Sequence, residues 1–218
     1  MKNKGHLLKT FSLLLTIFAL VLGTVAVTNS LNSNTSPVTA KSKTKAKCKT
    51  KAKAGIKKQF VNPRHTSQSA KRVFLNASEN KNGNTSNLAK KIFGNRSYQQ
   101  INLTDYNIPQ IGQGDGDFNK VWNQLKNADV LVIGTPVYWS NMSGYLKTFI
   151  DHLKINDDLK GDDLYVIVQG SDANQTLAIN STYGTLKRVS VRFGLNFVGI
   201  AQTDRQATQL HNKMIGQK

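Results

Sequence analysis

The chain reads as an α/β domain in which five short apolar strands alternate with helices, giving a doubly wound parallel sheet in a three-layer sandwich. Three observations predict this. First, Val130–Ile133 is a run of strand formers without a polar break, which suits a strand buried on both faces of a parallel sheet. Second, comparable runs recur at Arg72–Ser78, Ser97–Leu103, Leu164–Gln169 and Gly194–Ile200, with helical periodicity between most of them. Third, the loops at 78–85, 135–142 and 169–174 all follow strands, so they converge on one edge of such a sheet. In open wound sheets the ligand crevice lies at that edge, outside the carboxyl ends of the strands.

Charge divides the chain before any element is assigned. Of the 218 residues, 30 are Lys or Arg and 12 are Asp or Glu, for a formal net charge of +18. No acid lies upstream of Val73, so residues 73–218 are close to neutral at about +3 and have an ordinary globular composition. That length buries about two thirds of its extended surface, enough for one domain.

The N-terminus carries a different message. Lys2, Lys4 and Lys9 precede Phe11–Val27, which is apolar except for Ser12, Thr16, Gly23 and Thr24: the layout of a secretory signal. Val38-Thr39-Ala40 offers small residues for cleavage after Ala40, although that point lies well beyond the apolar run. An uncleaved N-terminal membrane anchor is the alternative, because a spanning helix needs roughly 17–25 residues. Either way residues 1–40 predict export, with the domain extracellular or held at the cell surface. Residues 41–71 are expected to form a basic, disordered tether. Within them Lys41–Lys58 alternates Lys with Ser, Thr and Ala and shows no apolar periodicity. Such a run is a solvated linker or an electrostatic latch onto anionic cell wall or membrane surface. It lacks the interleaved aromatics of a nucleic-acid binder, so no nucleic acid is expected as a partner. Cys48 is the only cysteine and excludes a disulfide framework.

The domain, 72–218, then follows in order. After the first strand, Glu79–Thr85 is a loop of turn-forming polar residues feeding a helix at Ser86–Phe93, which Gly94 ends. A strand, a Ser/Asn/Gly/Thr loop and a helix start make a phosphate cradle, since free amides and the helix dipole both favour an anion. Glu79 is expected to point outward. The second strand leads into a polar loop over Thr104–Asp117. Its Gly112, Gly114 and Gly116 match a dinucleotide fingerprint by spacing but not by position in the fold. Phe118–Asn127 is the second helix. Gly134-Thr135-Pro136 ends the third strand, and Val137–Met142 puts two aromatics and a thioether on an exposed loop. Large flat side chains there suit a flat aromatic ligand better than a folding core. Helical periodicity resumes at Ser143, with Tyr145, Leu146, Phe149 and Ile150 on one face. Ile179–Phe193 and Arg205–Ile215 complete the helices.

The remaining candidates read as structural. His152 suits a helix carboxyl end, where partial negative charge favours it. Asp157, Asp158, Asp162 and Asp163 lack the spacing of a calcium loop and read as a solvated acidic turn, so no metal is expected. No Ser/His/Asp spacing stands out either.

Ser78…Gly83-Asn84-Thr85…Leu88-Ala89, followed by Gly134-Thr-Pro-Val-Tyr-Trp-Ser-Asn-Met-Ser-Gly144 and Leu146-Lys147…Phe149-Ile-Asp151, resembles the flavodoxin-like NAD(P)H-dependent FMN reductases and quinone reductases. The resemblance spans Val73 to about Gly199. It implies a five-stranded sheet in the order 2-1-3-4-5 and FMN as cofactor. It also implies a phosphate held by Ser78, Asn80, Gly83, Asn84 and Thr85, and a flavin lined by Pro136, Val137, Tyr138, Trp139 and Met142. Gly170 and Ser171 fall where a third loop closes the pocket. The flavin would carry the chemistry, so no protein group is expected to be catalytic. Hydride or electrons would pass from a small-molecule donor to a quinone, flavin or ferric chelate. Relatives of this kind are often homodimers and mostly cytoplasmic, so the export signal departs from the pattern and makes the nicotinamide donor the least expected part. The alternative is a non-catalytic electron carrier or binding protein tethered at the surface.

Overall fold

The structure, a computed structural model, describes residues 57–171 and 175–217. The segments expected as signal or anchor, and residues 41–56 of the tether, lie outside the described residues, as do Asp172, Ala173 and Asn174.

The chain runs β1 (Arg72–Asn76), α1 (Asn84–Phe93), β2 (Gln99–Asn102), a 3-10 turn (Leu103–Asp105) and α2 (Phe118–Leu125). It continues through β3 (Val130–Tyr138), β4 (Asn141–Met142), α3 (Gly144–Asp151), β5 (Asp163–Gln169), α4 (Thr176–Phe193), β6 (Asn196–Ala201) and α5 (Asp204–Met214). The sheet order is β2-β1-β3-β5-β6, all parallel. That is the order 2-1-3-4-5 once the short β4, which pairs antiparallel with the end of β3, is set aside.

Alternation along the central strands makes the layers. Leu131 and Ile133 face a core shared with Phe118, Trp122, Leu146, Phe149, Tyr183 and Leu186 from α2, α3 and α4. Val130 and Val132 face the other way, with Leu88 and Ile92 of α1 and Leu210 and Met214 of α5. Period-two alternation across a strand buried on both sides requires apolar residues at every position, hence the unbroken run.

Two expectations change. The third strand does not stop at Pro136 but runs to Tyr138, with Pro136 in register with Gln169 of β5. Its pairing with β1 ends at Gly134, so Pro136 lies where β3 has no β1 neighbour, and an edge tolerates a missing N–H. The packed domain also begins before Arg72. Val61 donates its N–H to the Phe197 carbonyl at 3.0 Å, covering the edge strand β6. Phe60 sits on Tyr183 and Phe197, with ring centroids 5.9 and 5.5 Å away. Residues 59–71 are therefore part of the folded unit, held by apolar contacts that a basic composition obscures.

Asp163 explains part of this anchoring. Fully buried at the start of β5, it accepts the backbone N–H groups of Arg64 and His65 at 2.8–3.0 Å and the Asn196 amide at 3.2 Å. The acidic turn is thus not wholly solvated, since Asp158 also accepts the Trp122 indole N–H at 3.0 Å. His152 caps α3, is 3% exposed, hydrogen-bonds the Pro109 carbonyl at 2.8 Å and stacks on Phe118. It fills a structural place. Gly112, Gly114 and Gly116 all take positive φ in the loop before α2. A Cβ on Gly116 would come within 2.2 Å of the Asn107 carbonyl oxygen, so the triplet shapes a turn.

Candidate functional site

Parallel pairing brings the loops after β1, β3 and β5 to one rim, and specific bonds hold them together. Ala77 donates to the Gly134 carbonyl at 2.8 Å and accepts the Ser143 hydroxyl at 2.8 Å. Ser143 also donates its N–H to Thr135 Oγ1 at 2.9 Å and caps α3 by accepting from the Leu146 N–H. The third loop abuts the second closely: a Cβ on Gly170 would lie 3.0 Å from the Val137 Cβ.

The first loop is built from its own side chains. Ser78 N–H donates to Asn76 Oδ1, Asn80 N–H to Ser78 Oγ, and Asn82 N–H to Asn80 Oδ1, at 3.0–3.2 Å. Short polar side chains bonding the backbone two residues on are the reason such residues populate tight turns. Glu79 is exposed, as expected. Gly83 is the N-cap of α1; no side chain caps the helix and its first turn contains no acid. The first helical bond is from Asn87 N–H to the Gly83 carbonyl at 3.0 Å, so the amides of Asn84, Thr85 and Ser86 have no acceptor within the helix. With the helix dipole behind them these amides suit a phosphate. Lys81 reaches from this loop to pair with Asp105, and that hydrogen bond holds the Asp105 carboxyl below its ordinary value.

Close approach across the rim depends on one glycine. A Cβ on Gly134 would stand 2.6 Å from the Thr85 methyl and 2.8 Å from the Phe74 ring, which is why β3 has no side chain where α1 begins. Thr85 itself is buried.

The second loop is tighter than an open loop. Val137–Tyr138 and Asn141–Met142 form a hairpin whose two central residues, Trp139 and Ser140, have φ of 49° and 59°. Positive φ at both positions is the geometry of the two-residue turn that matches strand twist. Asn141 Oδ1 ties the hairpin to α4 through the Ser181 hydroxyl at 2.9 Å. Trp139 is fully exposed and Tyr138 is 48% exposed, so the hairpin offers two aromatic faces at the rim. Beside it Tyr138, Tyr145 and Thr148 meet Tyr106 and Ile108 around a cleft of about 380 Å³, within the roughly 300–1,000 Å³ typical of ligand pockets.

Placed against the expected set, Ser78 and Asn80 shape the first loop, Gly83, Asn84 and Thr85 open α1, and Val137, Tyr138 and Trp139 form the hairpin. Gly170 and Ser171 stand at the third loop, with the Gly170 carbonyl accepting the Gln175 amide at 2.7 Å. Two residues move out of the ligand-facing group. Pro136 is a buried strand residue, and Met142, 7% exposed, packs into the core below the hairpin. A two-residue turn reverses the chain so quickly that the residue after Asn141 already points inward. Tyr145, expected on the core face of α3, is 45% exposed in the cleft. Helical spacing alone does not separate the edge of an apolar stripe from its centre. Among the described residues no group of three potential ligands could hold a metal, and no helix is long and apolar enough to cross a membrane.

Comparison with known proteins agrees with this geometry. The family model described as NADPH-dependent FMN reductase matches residues 70–184, just over half of the chain. A Bacillus subtilis (strain 168) protein described as an NAD(P)H-dependent FMN-containing oxidoreductase, YwqN, is 32% identical over 87 residues, covering 35% of this chain and 48% of that protein. The match thus spans about half the length of that curated relative. Among solved structures, the Trp repressor binding protein from Bacillus subtilis superposes with a TM-score of 0.54 at 21% identity, covering 68% of this chain and 99% of that one. An NADH:FMN oxidoreductase in its apo form gives 0.51 at 23%, covering 67% and 87%. At these identities the two structures share the fold.

Proposed function

The chain belongs to the NADPH-dependent FMN reductase family of flavin oxidoreductases, and from that premise we propose that it binds FMN at this rim and transfers hydride or electrons to small acceptors. The observation that carries the reading is the start of α1. Free amides at Asn84, Thr85 and Ser86, no acid in the first turn, and no side-chain cap together leave a place for a dianion. The chain's residues fit the group at its other end as well, where Tyr138 and Trp139 offer flat faces beside a cleft.

Bound FMN supplies a ring that takes up and gives back two electrons, as hydride or singly. The protein's part is to hold and orient it. Amides at the start of α1 would neutralise the phosphate, and the hairpin backbone would hydrogen-bond the ring edge and tune its potential. Quinones, flavins and ferric chelates are the acceptor classes proposed. A nicotinamide or another reduced carrier is the donor.

Export belongs to the same proposal, supported by the positive start, the apolar Phe11–Val27 and the Lys41–Lys58 run. The lysine run would hold the protein to anionic wall or lipid surface, which predicts retention released by salt. Deleting Lys41–Lys58 without changing that retention would refute it.

The visible absorption spectrum of the purified protein tests the cofactor. A flavin band is expected, and a colourless protein that refuses added FMN would sink the reading. Steady NAD(P)H oxidation with a quinone identifies a reductase, whereas photoreduction without NAD(P)H turnover identifies a carrier.

A further inference from the structure

The edge strand β2 holds the first loop in place through a chain of side-chain amides. Asn76 and Asn102 are paired in register at the carboxyl ends of β1 and β2, and Phe74 is paired with Gln100. Phe74 packs with α1, so Asn76, Gln100 and Asn102 share the face from which α1 rises. Asn76, fully buried, donates from Nδ2 to Asn102 Oδ1 at 3.1 Å and accepts the Ser78 N–H on Oδ1. Gln100 Nε2 donates to the same Asn102 oxygen at 2.7 Å and to the Lys81 carbonyl at 3.0 Å. The Lys81 carbonyl also accepts the Ser86 hydroxyl at 2.6 Å. Asn102 Nδ2 is directed to Asp105, the partner of Lys81.

Both ends of the loop are therefore gripped, at Ser78 by Asn76 and at Lys81 by Gln100, and Asn102 joins the two grips. This loop leads directly into the α1 amides that suit a phosphate. A segment that has to be ordered on binding costs affinity, so pre-ordering is worth affinity without any contact to the ligand.

We propose that Gln100 and Asn102 are positioning residues for phosphate binding, setting the shape of the Ser78–Lys81 loop from the neighbouring strand. The inference rests on the FMN reading above and deepens it, because it assigns discrimination for the phosphorylated flavin to residues outside the loop.

The test compares FMN with riboflavin, which lacks the phosphate, by fluorescence titration of the full chain and its Gln100→Leu and Asn102→Leu variants. Neither side chain is fully buried, so both variants should fold, and circular dichroism melting checks this. The expected result is FMN affinity weakened about tenfold in each variant, with riboflavin affinity unchanged within about twofold. Unchanged FMN affinity, or an equal loss for both flavins, would overturn the proposal. Failure of the unaltered chain to bind FMN would instead remove the reading beneath it.

Discussion

The Ser143 hydroxyl donates to the Ala77 carbonyl at 2.8 Å, joining residues 66 apart in sequence and fastening the loop after β1 to the start of α3. The same oxygen accepts the Leu146 N–H, so one buried side chain serves as helix cap and as clasp between two loops of the rim. Ser143→Ala removes both bonds and leaves the Ala77 carbonyl without this partner. Loss of an N-cap costs about 0.5–2 kcal/mol, and stranding a buried acceptor about 1–3 more. Chemical denaturation should show a drop of roughly 2–4 kcal/mol, with flavin affinity falling alongside.

Gly134→Ala tests the close approach of β3 to α1. The new methyl would meet Thr85 and Phe74 well inside contact distance. Overpacking of this kind costs about 1–3 kcal/mol. Because Thr85 lies in the first turn of α1, FMN binding should weaken more than riboflavin binding in the same titration.

Trp139 separates stability from function. Its side chain is fully exposed, so Trp139→Ala should leave the unfolding free energy within about 0.5 kcal/mol. Its loss should still slow turnover with a quinone, measured as NAD(P)H oxidation. Ser140→Gly, at a φ of 59°, should raise the melting temperature by relieving backbone strain.

Asp162 predicts a pH dependence. Burial raises its carboxyl from 3.8 to about 6; His65 opposes the rise, and Asp129 and Asp163 add to it. Between these values the folded state binds more protons than the unfolded state, so this group lowers stability as pH rises from about 4 to about 6. Above about 6 the cost is complete. Asp162→Asn should therefore stabilise the protein at pH 7 and flatten the profile across that window, read as melting temperature against pH.

The N-terminal boundary is open to a direct check. A chain shortened to begin at Arg72 loses Phe60, the Val61 bond to β6 and the two backbone donors to Asp163. Uncovering that carboxylate and edge should cost about 2 kcal/mol or more, and denaturation beside a chain that begins at residue 57 measures it.

Periodicity and turn chemistry by themselves determined the five parallel strands, their helices and the rim where three loops meet, but not the extension of β3 to Tyr138 or its hairpin with β4. Each of these depends on neighbours along the chain, as in the apolar run at Val130–Ile133 and the Asn/Gly/Thr loop before α1. The polar residues that support the rim were not legible. Asn76, Gln100 and Asn102 look like ordinary strand-end amides until pairing in register places them on one face. Nor could local pattern reveal that Met142 turns inward, that Tyr145 turns outward, or that Phe60 lies against Phe197. These facts follow from which surfaces meet after folding. Such meetings are set by long-range packing and shared hydrogen bonds, and tertiary structure alone decided them.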